Sequence, residues 1–551
     1  MQKKILGAAL GTCVHVSGLH HFLKLAEAEG YETKSLGPAI SPERLVKAIQ
    51  EYHPDIVAVS YRLTPEVARG LFVELEQLIK KHNLLSLRYV FGGTPPVAQV
   101  ARESGIFERA FSGAEPLDEV KSYLRAPAGI KKEKVFAQDL ISRIEQKYPY
   151  PLIRHHFGRP SLGETIEGVR KIANSGVIDV ISLGPDQNAQ EHFFHPEEMD
   201  PAQDGAGGVP VRSPEDLEAI YIASRCGNYP LMRCYSGTRD LIKWAEMSVR
   251  TIHNAWAAIP LCWYSVLDGR SKRQFPNAII ENQEAMKWYA ERGIPVEVNE
   301  SHQWSLRDAH DSLAVTMAFL AAYNAKKMGV KDYVAQFMFN TPPGTSPKMD
   351  LAKMLAKYDL IKKLEDENFR VYREVRAGIA SLSPEPAVAK GQIAASALVS
   401  LSMQPHILHV VGFSEGDHAT FPDELIESCR IAHGVLRNCL CGLPDMTLDD
   451  DLRSRKTRLL FESQTLLDAI WQLGKDISAD PWSDARVLTM AIQKGLLDTP
   501  HFRGNPYFGG NITTKLIDGA WYAIDPETGE VLQEQERIER ILSANVAGFR
   551  S

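Results

Sequence analysis

At 551 residues the chain exceeds one ordinary core, so two or three domains are expected. Its 44% hydrophobic and 24% charged content is that of a globular protein, and a formal charge of −7 without a dense Lys/Arg stripe excludes a dedicated nucleic-acid binder. There is no apolar run of about eighteen residues to cross a membrane, and the seven scattered cysteines lack zinc-ribbon spacing, so they read as reduced thiols of a cytoplasmic protein.

The N-terminal run MQKKILGAALGTC breaks at Gly11 without an export signature. Strands are predicted at Ile5–Leu10, Tyr31–Leu36, Asp55–Ser60 and Arg88–Gly93. Amphipathic helices are predicted at Leu19–Glu29, Pro42–Glu51, Pro65–Lys81, Val97–Ser104 and Leu117–Leu124. Strands separated by helical crossovers imply a parallel, doubly wound α/β sheet, which binds ligands beyond the carboxyl ends of its strands. A lysine-rich stretch, Ala126–Gln138, reads as exposed linker. Further strands are predicted at Leu152–Phe157, Val177–Leu183, Pro230–Ser236, Ile259–Val266, Pro295–Ser301, Tyr333–Asn340 and His406–Phe413, with helices between them. Seven or eight such units fit a (β/α)₈ TIM barrel with insertions. A Gly/Asn-rich patch at Gly504–Asn511 and a hairpin around Asp518-Gly519 follow. The expected domains are 1–126, a linker at 127–149, a barrel at 150–440, and a C-terminal extension at 441–551 packed on the barrel.

The loop after the first strand reads Gly11-Thr12-Cys13-Val14-His15-Val16-Ser17-Gly18 and opens a helix. A neutral imidazole is a good nitrogen ligand for a transition metal, and a glycine three residues on lets a ligand approach the backbone. Ser60 ends the third strand, Gly92-Gly93 the fourth, and Ser112–Glu115 follows. In this order, these elements resemble the cobalamin-binding domains of adenosylcobalamin mutases and methionine synthase, over about residues 1–125. The resemblance implies a Rossmann-like, flavodoxin-type domain in which His15 is the axial cobalt ligand. Gly18, Ser60, Gly92, Gly93 and Ser112 would line the cofactor. The family's aspartate two residues before the histidine is here Cys13, a weaker partner for the ring, and its Ser-x-Leu becomes Ser60-Tyr61-Arg62. A plain nucleotide-binding domain lacks support, because no Gly-x-Gly-x-x-Gly follows the first strand.

The barrel carries Phe157-Gly158-Arg159-Pro160, then Leu231-Met232-Arg233 with Gly237 and Arg239-Asp240-Leu241 beyond, then Glu300-Ser301-His302-Gln303-Trp304. These segments, with the run Leu466–Ala491, resemble the catalytic subunit of glutamate mutase (methylaspartate mutase). That likeness implies that Arg159 and Arg233 clamp a substrate carboxylate through their planar forks, with His302 and Gln303 beside the substrate. The family's third arginine falls at Gly184–Asn188, where this chain has none. Its ribose-gripping Lys and Glu fall at Asn340-Thr-Pro-Pro-Gly344, where only Asn340 offers a hydrogen bond. Glu300, His192 and Asp268 are weaker candidates at strand ends. The expectation is an adenosylcobalamin-dependent isomerase performing a radical 1,2-rearrangement on a small carboxylate, as a cytoplasmic homo-oligomer, most simply a dimer. A corrinoid methyltransferase and a non-enzymatic cobalamin sensor are the alternatives, and no Schiff-base lysine for pyridoxal phosphate can be placed.

Overall fold

Every residue of Ile56–Tyr61 is buried, the pattern of a strand covered on both faces by helices. This strand is the centre of a parallel sheet in the computed structural model, which describes residues 2–125, 135–440, 442–505 and 508–547. The chain divides into two compact units, Met1–Val135 and Phe136–Ser551.

In the first unit β1 (Lys4–Ala9), β2 (Glu32–Ser35), β3 (Ile56–Tyr61), β4 (Arg88–Gly93) and β5 (Arg109–Phe111) run parallel in the order β2-β1-β3-β4-β5. Helices Ser17–Ala28, Pro42–Tyr52, Pro65–Lys81, Pro95–Ser104 and Leu117–Arg125 follow the strands in turn. The second of these illustrates the local code. Ser41 Oγ accepts from Arg44 N, Pro42 opens the first turn, Leu45, Val46 and Ile49 face inward, and His53 ends it in the left-handed region. The strand order reverses between β1 and β3, which opens a crevice at their carboxyl ends. The edge strand β5 is not among the expected strands, because three residues beginning with a charge carry no readable alternation.

The second unit is a near-closed barrel of eight parallel strands. These are β6 (Leu152–Phe157), β7 (Val180–Leu183), β8 (Leu231–Cys234), β9 (Ala257–Ile259), β10 (Val296–Val298), β11 (Asp332–Phe339), β12 (Arg370–Ala377) and β13 (Ile407–His409). β13 returns to pair with β6 through Ile407↔Leu152, while β8 and β9 meet through Ser236 N donating to Ala258 O at 3.3 Å. Two expectations need correcting. β12 is a full strand in a segment where none was expected, because its inward positions Tyr372, Glu374 and Arg376 leave no apolar run. β9 shares only Ile259 with the expected strand Ile259–Val266, whose remaining apolar residues form instead a buried loop. Trp263 of that loop packs against Trp304 and Phe502 at ring distances of 5.0 and 5.9 Å. Its backbone is satisfied by Glu300, whose Oε2 accepts from Leu261 N at 2.8 Å and Cys262 N at 3.0 Å.

Of the expected linker, 127–134 lies outside the described residues, but Leu140–Lys147 is a helix. Its Leu140 and Ile144 pack with Leu152, Val180, Leu231, Trp256, Val334 and Ile407, the lowest layer of the barrel interior, and so close its amino-terminal end. Arg143 fixes the helix by donating to Tyr229 O at 2.9 Å. Beyond the barrel, helix Asp450–Gly474 buries Leu459, Leu466, Leu467 and Ile470 in the same core as the barrel helices. The expected hairpin is present as β14 (Thr513–Ile517) and β15 (Ala520–Ile524), turning through Asp518 and Gly519, both at positive φ. No helix among the described residues is long and apolar enough to cross a membrane.

Candidate functional site

Two groups of residues lie at carboxyl strand ends, one in each unit. In the first unit the chain leaving β1 turns sharply. Gly11 takes φ 61°, and a Cβ there would come within 2.7 Å of Leu71 Cδ1. The turn buries Cys13 completely and leaves His15 exposed. Cys13 Sγ lies 3.9 Å from His15 Nδ1, so the residue replacing the family's aspartate does face the ring, as a weak thiol contact. Nε2 of His15 meets no hydrogen-bond partner among the described residues and is open to a ligand.

At the end of β3, Ser60 pairs in register with Gly92 of β4. Its hydroxyl is buried and has no hydrogen-bond partner among the described residues. A Cβ at Gly92 would meet nothing within 4 Å, so open space adjoins the register partner of that orphaned hydroxyl. Gly93 differs, since a Cβ there would lie 2.5 Å from Tyr61 O; it is required by the close approach of two strands. Gly18 is exposed, with open space at its Cα. Ser112 Oγ donates to Glu115 Oε1 at 2.9 Å, within its own turn. An open imidazole nitrogen at the switch point, a buried hydroxyl in need of a partner and bare backbone next to it fit cobalamin. His15 would hold its cobalt, and Ser60 and Gly92 would line the rest of the cofactor.

In the barrel, side chains from alternate positions build polar layers above the apolar base. The middle layer is an ion network. Arg154 Nε donates to Ser182 Oγ at 2.7 Å and Nη1 to Glu374. Arg233 Nη2 and Trp256 Nε1 both donate to Glu297 Oε2 at 2.7 Å. Gln336 Nε2 donates to Glu297 at 3.0 Å and Glu374 at 3.1 Å. Arg233 keeps Nε and Nη1 unpartnered among the described residues.

The next layer up holds His156, Tyr235, Arg376 and, from β13, His409. His156 stacks on Tyr235 at 5.2 Å and meets His409 edge-on at 4.7 Å. Its Nε2 accepts from Arg154 Nη2 at 3.2 Å, which places the ring proton on Nδ1. Burial first, then the guanidiniums of Arg154 and Arg376, hold His156 and His409 well below the usual imidazole range. None of these four residues stood out in the sequence, and Arg376 lies on the unforeseen strand.

The other expected residues are dispersed. Arg159, on the loop after β6, donates to Ala419 O at 2.8 Å and lies 4.0 Å over the Phe421 ring. No contact joins it to Arg233 among the described residues. His302 and Gln303 are buried in the short helix Ser301–Ser305. Burial, then Arg376, depresses the His302 imidazole well below its usual range, and Gln303 Oε1 accepts from Arg307 Nη1 at 3.0 Å. Asn340 takes φ 54° and borders a cavity of about 220 Å³ with Phe339, Ala377, Leu382, Ile393 and His409. Where the third clamp arginine is missing, Arg212 enters from a later loop, but Asp186 at 2.5 Å and Asp204 already engage it. Asp268 caps its own turn through Ser265 N, and His192 lies 3.7 Å from Glu198.

Residues 3–121 match the B12 binding domain family, so the first unit carries a B12-binding domain and cobalamin is the cofactor it indicates. No curated protein matches the chain. Among solved structures the chain is similar to a cobalamin-binding protein from Desulfitobacterium hafniense DCB-2, at 30% identity and TM-score 0.20, over 22% of this chain and 58% of that one. The chain thus spans little more than half of that protein. It is also similar to oxaloacetate acetylhydrolase, at 13% identity and TM-score 0.29, over 60% and 93% of the two chains. A third likeness is the cobalamin-dependent S-adenosylmethionine radical enzyme OxsB, at 10% identity and TM-score 0.20, over 89% and 70%. At such TM-scores none of the three bears on this chain's activity.

Proposed function

We propose that this chain, with its B12-binding domain over residues 3–121, is an adenosylcobalamin-dependent isomerase that rearranges a small carboxylate within its barrel. The observation that carries the reading is the polar, cation-rich barrel interior at the carboxyl ends of the strands, where barrel enzymes place their chemistry. Arg233 offers two unpartnered N–H groups there, and Arg376 ends β12 with no ion-pair partner among the described residues. Such groups are suited to hold a carboxylate.

Bound adenosylcobalamin would supply the homolytic cobalt–carbon chemistry that a 1,2-rearrangement of unactivated carbons needs. The residues of the chain bind, orient and shield. His15 would hold the metal, with Cys13 behind its ring. Arg233 and Arg376 fix the acid, with Arg159 at the rim. His156, His302 and His409, held neutral, give hydrogen bonds without adding charge. The helix Leu140–Lys147 and the apolar layer above it keep water out from below.

A corrinoid methyltransferase is the second reading, and one observation favours it. The cavity beside Asn340 is lined by no lysine, arginine or carboxylate among the described residues, so nothing charged is ready to grip an adenosyl ribose there. The two readings part in one experiment. The protein is incubated anaerobically with small carboxylic acids and either adenosylcobalamin or methylcobalamin, and products are followed by nuclear magnetic resonance. The isomerase reading expects a product of unchanged mass with the adenosyl form alone. Methyl loss from methylcobalamin, with no isomer formed in either case, would overturn it.

A further inference from the structure

The interior positions of β6, β8, β10 and β12 hold three guanidiniums, Arg154, Arg233 and Arg376, against two carboxylates, Glu297 and Glu374. The carboxylates are taken. Glu374 receives Arg154, and Glu297 receives Arg233 at 2.7 Å while also lying 3.7 Å from Arg154. Arg376, two residues beyond Glu374 and so on the same face of β12, donates from Nε to Ala377 O at 3.2 Å. No carboxylate pairs with it among the described residues, though only 8% of its surface is exposed. The imidazoles do not alter the balance. Burial, and then arginine charge in which Arg376 figures each time, keeps His156, His302 and His409 neutral. These strand positions therefore carry one surplus positive charge, and its bearer is Arg376.

Taking this barrel as a carboxylate site, as the isomerase reading does, we propose that it is built for a monocarboxylate whose single charge is received by Arg376, and that it discriminates against dicarboxylates. A buried ion without a counter-ion is strongly unfavourable, so the apo interior is short of one negative charge. One carboxylate brings three positive groups to face three negative ones. A second leaves an uncompensated anion, because the charge of Arg233 is already answered by Glu297. Relief would require a proton on an imidazole that its surroundings hold neutral. The substrate class is then an aliphatic acid whose migrating group is uncharged. A glutamate-like substrate, with two carboxylates, would not suit the site.

The test is isothermal titration calorimetry on the full chain with three matched pairs: propionate and succinate, butyrate and glutarate, valerate and adipate. Each second acid is the first with a carboxylate added at its far end. At least one monocarboxylate should bind, and its partner should bind about tenfold more weakly or not at all. Arg376→Gln should weaken the favoured acid on the order of thirtyfold, while its thermal unfolding comes no earlier than the parent's, because an uncompensated buried charge is removed, and its cobalamin affinity stays that of the parent. Tighter binding of the dicarboxylates, binding of none of the six acids, or unchanged affinity in Arg376→Gln would each overturn the proposal. Should Arg376→Gln fail to fold, the paired comparison on the parent protein decides alone. The titration needs neither cobalamin nor turnover. A monocarboxylate preference without isomerisation would sink the isomerase reading and leave this one. A dicarboxylate preference with isomerisation would do the reverse.

Discussion

Removing the Ser60 hydroxyl should strengthen the apo protein and weaken its hold on cobalamin, an opposition expected of a group kept for a ligand. The hydroxyl is buried with no partner among the described residues, and a buried polar group in that state costs about 1–3 kcal/mol. Ser60→Ala deletes one atom. It leaves the β3 ladder intact, including Leu10 N donating to Ser60 O at 2.9 Å. Against the relieved penalty stands the loss of a few dispersion contacts, roughly 0.1–0.2 kcal/mol each. The net expectation is a stabilisation of about 1 kcal/mol without cobalamin. With cobalamin, the variant lacks one hydrogen bond worth about 0.5–1.5 kcal/mol, which adds to the apo gain, so affinity should fall roughly ten- to seventyfold. Because two units of this size need not unfold together, the readout is native-state hydrogen exchange of the β3 amides, with and without cobalamin, beside a direct cobalamin titration. A variant with faster apo exchange and unchanged cobalamin affinity would refute the reasoning, since the hydroxyl would then be serving the fold.

Restoring the missing carboxylate with Cys13→Asp should tighten cobalamin binding by about tenfold, the low end for such ring-orienting partners, because position 13 lies in an apolar core; equilibrium dialysis reads it, and equal or weaker binding would mean that another group orients His15. Glu300 is pushed up to about 7 by burial, against hydrogen bonds from Cys262, Trp304 and Leu261 that favour its charged form. Its folded value lies above its unfolded one, so its contribution is whole below about pH 4.5 and is lost as pH rises to about 7, a difference of order 3 kcal/mol. Urea unfolding of the barrel across that window should show this loss in the parent and not in Glu300→Gln. Arg154→Gln removes one partner from the buried network around Glu374 and Glu297 and should destabilise the barrel by about 3–5 kcal/mol, read by the same unfolding curves.

The first unit was the more legible because its chemistry is separate from its packing. β1, β3 and β4 are apolar runs, and Cys13, His15, Ser60 and Gly92 stand at or just beyond their carboxyl ends, the positions at which such sheets receive ligands. The barrel mixes the two. Its central strands carry charged residues inward, so β12, with Glu374 and Arg376 alternating against Val371 and Val375, offers only the weak signal of those two valines on the opposite face. The run Ile259–Val266 misled in the other direction. Its apolar residues are buried in a loop, and that loop is possible only because Glu300, some forty residues on, supplies acceptors for its amides. Arg159 and Arg233 read alike as strand-end arginines, yet one lies over Phe421 at the rim and the other joins a fully buried network. Pairings across the barrel decide that difference, and a linear pattern does not encode them.

The central claim is that this chain holds cobalt through His15. Electron paramagnetic resonance of bound cob(II)alamin tests it most directly, because the nitrogen beneath the metal splits the cobalt lines according to its isotope. With protein grown on nitrogen-15 histidine and unlabelled cobalamin, the superhyperfine pattern should change to that of a nitrogen-15 ligand, and the change should vanish in His15→Ala. A pattern unaltered by labelling, with the cofactor bound as tightly in His15→Ala as in the parent, would contradict it.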